Sequence, residues 1–177
     1  FDPPHKGHLH ITHQALRAFD LDQIWWVVSS GNPLKGKPSL SMLKRLEACS
    51  RIANYKKIYI SDIELGMKTP FSSDIICALY HRYPGARFVW LMGADNLISF
   101  HRWQNWSWIM ENIPIGVLPR PGKQIRAGLS LAARRYQRYR LKTHEAKFLS
   151  RRRAPAWLLL TGSMIDISST NIRSDEL

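Results

Sequence analysis

The sequence predicts an α/β protein organised on a doubly wound, mostly parallel sheet. Three observations carry that expectation. Strand-like runs alternate with stretches of helical periodicity, residues 86–92 (ARFVWLM) are nearly all apolar as a strand covered on both faces must be, and the residues of most chemical character directly follow strand-like runs. In such sheets a ligand binds beyond the carboxyl ends of the strands, where the winding reverses.

The chain opens on Phe1-Asp2-Pro3-Pro4-His5-Lys6-Gly7-His8. The prolines keep the backbone extended, and Leu9, Ala15, Leu16 and Phe19 then recur near one helical face, so a loop enters a helix here. Gly7 lets a ligand come close. A helix start offers free amides and the positive end of a dipole, so two imidazoles beside it point to a phosphate site. Alone, the tetrapeptide would equally serve as a solvated helix start or as two metal ligands.

Residues 23–29 (QIWWVVS) read as a strand, followed by Gly31, Asn32, Pro33 and a loop carrying Lys35. Ser39 or Ser41 caps the next helix, whose apolar face is expected from Leu43, Leu46, Ile52 and Ala53. A strand at 57–61, a polar loop at 61–70 and a helix at 71–83 follow, the last stopped by Pro84-Gly85. The apolar strand 86–92 runs into Gly93-Ala94-Asp95-Asn96 and then a tryptophan-rich stretch in which Trp106 and Trp108 are expected in the core. Residues 113–118 form a strand ending in Pro119-Arg120-Pro121-Gly122, and residues 129–149 are expected to be helical. Residues 156–160 are a strand, 165–167 a short one, and Ser168-Ser169-Thr170 caps a closing helix. If a strand also precedes Phe1, the turns at His5 to His8, Lys35, Gly93 to Trp103, Arg120 and Ser168 to Arg173 all face one crevice.

Length and composition bound the reading. The 177 residues, 45% hydrophobic and 22% charged, fit one globular domain over residues 1–177. No apolar run approaches a membrane span. Cys49 and Cys77 form no Cys-x-x-Cys pair, which fits a reducing cytoplasm. The net charge of +13 is concentrated between Arg120 and Arg153, where twelve basic residues face only Glu145. Without a nucleic-acid motif, that segment is expected to be a solvated surface. His10, His13, His81, His101 and His144 are dispersed and form no metal pattern.

At the far end, Ile167-Ser168-Ser169-Thr170-Asn171-Ile172-Arg173 places hydroxyls at a helix start and a guanidinium one turn in, a second arrangement suited to phosphate. Phe-Asp-Pro-Pro-His-x-Gly-His at the front and Ile-Ser-Ser-Thr-x-x-Arg at the back together resemble the nucleotidyltransferase superfamily, with its Rossmann-like fold. Within it, Ser61-Asp62-Ile63-Glu64-Leu65, Trp90 to Leu97, Phe100-His101-Arg102-Trp103 and Pro119 to Gly122 look like the bacterial nicotinate-nucleotide adenylyltransferases. The resemblance covers nearly the whole chain and is most specific over Gly93 to Trp103. It implies Mg²⁺-dependent transfer of the adenylyl group of ATP to nicotinate mononucleotide, giving deamido-NAD and pyrophosphate.

Carried over by position, the resemblance implies catalytic roles for His8, His5, Lys35 and Arg173. His8 would steady the triphosphate in the transition state. His5, His8, Gly93, Asp95, Ser169, Thr170 and Arg173 would bind ATP, and Arg45, Asp74 and Trp103 would bind the mononucleotide, Trp103 by stacking. The implied Mg²⁺ would be held by ATP oxygens and water, with no protein side chain as ligand. Where the family usually has Tyr-Thr before the aspartate matched by Asp74, this chain has Phe71-Ser72-Ser73. A strand and glycine-serine turn before Phe1, and most of a segment after Arg173, are expected to be missing.

Two other readings compete. A related adenylyltransferase would use nicotinamide mononucleotide or phosphopantetheine as acceptor. A basic nucleic-acid-binding module would use residues 120–153 and show a steep salt dependence. The expected partners are ATP and nicotinate mononucleotide, with no membrane or nucleic acid, and self-association is left open.

Overall fold

The computed structural model describes residues 3–29, 31, 40–67 and 69–161. Among these, the chain forms two compact units. One runs to His13 and resumes over Asp22–Pro70; the other comprises Gln14–Leu21 and residues 71–161. Helix α1 (Lys6–Ala18) starts in the first and ends in the second.

In the first unit, β1 (Ile24–Val27) pairs in parallel with β2 (Ile58–Ser61), from Ile24 opposite Ile58 to Val27 opposite Ser61. Trp26 is buried and its indole N–H donates to Thr12 Oγ at 2.9 Å, so the start of α1 is tied to this pair by a satisfied polar contact. Between the strands lies α2 (Met42–Ile52), capped by Ser41, whose hydroxyl accepts from the Lys44 amide. Its face differs from expectation. Leu43 is 67% exposed, and the buried positions are Arg45 and Cys49. The polar stretch after β2 is not all loop, because Ile63–Gly66 makes a short 3₁₀ helix.

In the second unit the order is β3 (Trp90–Gly93), β4 (Ile115–Leu118), β5 (Trp157–Leu159), all parallel, with Gly93 opposite Leu118 and Ile115 opposite Trp157. Residues 86–89 lie outside β3, since Ala86 and Arg87 are solvent-exposed and β4 begins opposite Trp90. The strands covered throughout are β4, the central one, and β5, rather than β3. Around the sheet lie α3 (Ser72–Arg82), α4 (Ala94–Ser99) and α5 (Trp106–Asn112). Gly116 of β4 permits a close approach, since a Cβ there would lie 2.7 Å from Leu91 and 2.8 Å from the Phe19 ring.

The basic segment is not one helix. It divides into α6 (Gln124–Gly128), α7 (Leu131–Arg135) and 3₁₀ turns at Gln137–Tyr139 and Thr143–Arg151. At the break, the carbonyl of Tyr136 accepts both the buried Trp157 indole N–H at 2.8 Å and the Tyr139 amide at 3.0 Å. Trp106 and Trp108 are only half-buried, packed on the core from outside as Trp103 is. The expected strand at 165–167 and the helix start at Ser168 to Thr170 lie outside the described residues. Among the described residues no helix is long and apolar enough to cross a membrane.

Candidate active site

The histidine-flanked entry to α1 is built by its own backbone. The Gly7 amide donates to His5 Nδ1 and the His5 amide to His8 Nδ1, each at 3.1 Å, and the rings lie 3.9 Å apart. A ring nitrogen that accepts a hydrogen bond carries no hydrogen, so in the neutral imidazoles the N–H is on Nε2. The sequence thus folds both histidines into oriented Nε2–H donors at a helix start. His5 is buried, His8 is half-buried, and the His8 ring meets Trp26 edge-on at 6.2 Å.

Arg45 is almost wholly buried. Its Nε donates to the Leu40 carbonyl at 3.2 Å and Nη1 to the Ser29 carbonyl at 2.7 Å, which anchors a positive charge just past the carboxyl end of β1. One turn on, burial pushes the Cys49 thiol up to about 11, an inert neighbour rather than a nucleophile.

In the second unit, Gly93 ends β3 and caps α4, and Asp95 sits in the first turn of that helix. Arg120, two residues beyond β4, reaches to 3.6 Å from Asp95 Oδ1. A Cβ on Gly93 would collide with Asp95 Oδ1 and come within 3.2 Å of Arg120 Nε, so glycine here makes room for the pair. The stretch from Gly93 to Trp103 is a short helix and a 3₁₀ turn (Phe100–Arg102) rather than an open loop. Asp74 lies in the first turn of α3, joined through Ser73 to Asn105 in the turn that follows Trp103. Trp103 is half-buried, its ring edge-on to Phe100 at 5.2 Å.

Of the expected site residues, His5 and His8 are together, Asp74 is linked to the Trp103 turn, and Gly93 and Asp95 share the end of β3. Lys35, Ser169, Thr170 and Arg173 lie outside the described residues. Residue-type reasoning gave no role to Ser73 or Asn105 and placed Arg120 only through its turn at the expected crevice. The Pro-Arg-Pro-Gly turn was the available signal for Arg120, whereas the Ser73 and Asn105 contact spans thirty-two positions and leaves no local pattern. Among the described residues no three His, Cys, Asp or Glu side chains cluster to hold a metal.

Residues 1–175 match the cytidylyltransferase-like family. A probable nicotinate-nucleotide adenylyltransferase of Cereibacter sphaeroides is 49% identical over 174 residues, 98% of this chain and 92% of the relative. The chain belongs to the nicotinate-nucleotide adenylyltransferase family. Another probable nicotinate-nucleotide adenylyltransferase, from a Ruegeria species, is 50% identical over 173 residues, 98% of this chain and 92% of its own length. In fold, this adenylyltransferase-family chain is similar to the Plasmodium falciparum nicotinic acid mononucleotide adenylyltransferase complexed with NaAD. The TM-score is 0.71 at 16% identity, over 98% of this chain and 78% of the other.

Proposed function

We propose that this chain transfers the adenylyl group of ATP to nicotinate mononucleotide, releasing pyrophosphate and forming deamido-NAD in NAD biosynthesis. The identity of 49% across 98% of the chain carries this reading, and the donor geometry at His5 and His8 supports it. An oxygen of the mononucleotide phosphate attacks the α-phosphorus of ATP in line. The bond to the β-phosphate breaks, and its electrons leave on pyrophosphate. A phosphate monoester has a second pKa of about 6, so the nucleophile is ionised at neutral pH and needs no general base. What the protein supplies is alignment and charge on the leaving group.

His8 Nε2–H donates to the phosphate that becomes pyrophosphate, and His5 supports it from the adjacent position. Lys35 and Arg173 are their proposed charged partners, with Gly93, Asp95, Ser169 and Thr170 completing the ATP site. Arg45, Asp74 and Trp103 hold the acceptor. Mg²⁺ would neutralise phosphate charge when bound. The donor set fits an ion carried by the triphosphate and water, since Asp95 Oδ1 already faces the Arg120 guanidinium. We place the reaction in the cytoplasm, a reading that the two unpaired thiols, Cys49 and Cys77, support.

The test is a coupled pyrophosphate-release assay with ATP and, in turn, nicotinate mononucleotide, nicotinamide mononucleotide and phosphopantetheine, using protein extended to the full length of its relatives. Fastest release with nicotinate mononucleotide is expected. A clear preference for phosphopantetheine would sink the reading.

A further inference from the structure

Asn105 occupies a backbone conformation that few residues adopt at low cost, with φ 56° and ψ 28°. The Trp106 amide donates to the Trp103 carbonyl at 3.2 Å, so residues 103–106 close a tight turn with a left-handed residue in third place, where Gly or Asn is favoured. Asn105 also precedes α5, yet its side chain makes no capping bond to that helix. The amide reaches elsewhere. Nδ2 donates to Ser73 Oγ at 3.4 Å, and Ser73 Oγ donates to Asp74 Oδ1 at 3.3 Å. A hydroxyl that accepts once and donates once suits both neighbours, and Ser73 is only 3% exposed, so water competes little for it.

We propose that Asn105 and Ser73 are positioning residues for the acceptor. They join the turn that begins at Trp103 to the helix start that carries Asp74, and thereby set the spacing of two groups that hold nicotinate mononucleotide. The proposal rests on the assignment of Trp103 and Asp74 to that nucleotide. It deepens the assignment by naming what keeps the stacking ring and the carboxylate in register. Because the link runs between two acceptor groups, its loss weakens binding of the mononucleotide and leaves ATP binding and the chemical step largely intact. Asparagine suits the position, because it combines tolerance of the left-handed region with a side-chain donor that reaches Ser73.

Steady-state kinetics on the full chain, with each substrate varied separately, test this. The variants are Asn105→Gly, which keeps the backbone freedom and removes the donor, Ser73→Ala, their double variant, and Trp103→Ala as reference. Each single link variant is expected to raise KM for nicotinate mononucleotide about fivefold, the worth of roughly one net hydrogen bond. KM for ATP and kcat should stay within about twofold, the split that marks lost ground-state binding of one substrate. The double variant should be no worse than either single beyond about twofold, because both remove one link. If Trp103→Ala raises KM for the mononucleotide while the link variants do not, the link is overturned and the acceptor site stands. If the link variants shift both KM values or kcat together, the role is structural and the proposal falls. If Trp103→Ala itself leaves the mononucleotide KM unchanged, the acceptor-site assignment fails and the proposal with it.

Discussion

A backbone amide orients His8, and the consequence is chemical. With Nδ1 accepting from the His5 amide, the ring presents Nε2–H as a fixed donor without waiting for a ligand to select a tautomer. Removing one such donor costs about 10²–10³ in rate, so His8→Ala should lose that much turnover while its far-ultraviolet circular dichroism and melting stay close to wild type. Near-normal turnover would remove His8 from the mechanism. The two thiols offer a second check. Cys49 is fully buried and Cys77 exposed, so iodoacetamide should label Cys77 readily and Cys49 only on unfolding. Burial raises the Cys49 pKa from 9.0 to about 11, so on raising the pH the unfolded chain ionises there before the folded one does. Its contribution to stability is therefore complete below about pH 9 and is lost towards pH 11, which denaturant midpoints across that range should register and Cys49→Ala should flatten.

At the scale of elements, strand and helix order was legible because each rests on local pattern, and Ser41 capped its helix as a serine before a periodic run should. What misled was long-range. An arginine on α2 reads as a surface charge, yet Arg45 is buried because two carbonyls satisfy it, and carbonyls leave no trace in side-chain pattern. Helical periodicity over 129–149 gives way after Arg135, where the Tyr136 carbonyl meets Trp157, a residue on a strand far along the chain. The resulting short helices leave Arg134, Arg135 and Arg138 exposed. Reversing the charges at Arg134 and Arg138, and leaving Arg135 over the Trp106 ring, should change adenylyl transfer by only a few-fold, because solvated charges are screened beyond about 8 Å in physiological salt. A collapse of turnover in a folded variant would place this surface in the site. Gly116→Ala, in contrast, should be felt: its Cβ would press on Leu91 and Phe19, and overpacking of that kind costs about 1–3 kcal/mol, readable as a lower denaturant midpoint.

At the scale of the whole molecule, discrimination between acceptors is the property that the candidate site must explain. Most amides between Gly93 and Trp103 are spent inside helical turns, so a ring stacked on Trp103 as proposed would meet only the backbone N–H groups those turns leave over. Donors alone favour a carboxylate over a carboxamide, since an unsatisfied buried donor costs roughly 1–3 kcal/mol and a charged acceptor binds more strongly. Nicotinate mononucleotide should therefore be used at least about tenfold better than nicotinamide mononucleotide, as 1.36 kcal/mol is tenfold in rate. Equal use of the two would show that the site also offers an acceptor. Two buried indoles with bonded N–H groups carry a further consequence. Trp26, bonded to Thr12, lies in the first unit, and Trp157, bonded to the Tyr136 carbonyl, in the second. Each indole proton is shielded from solvent and can exchange with deuterium only when its own unit opens, so the molecule carries two built-in clocks. Equal rates in heavy water would mean that the units open as one cooperative body. Unequal rates would rank the two by stability without any substitution at all.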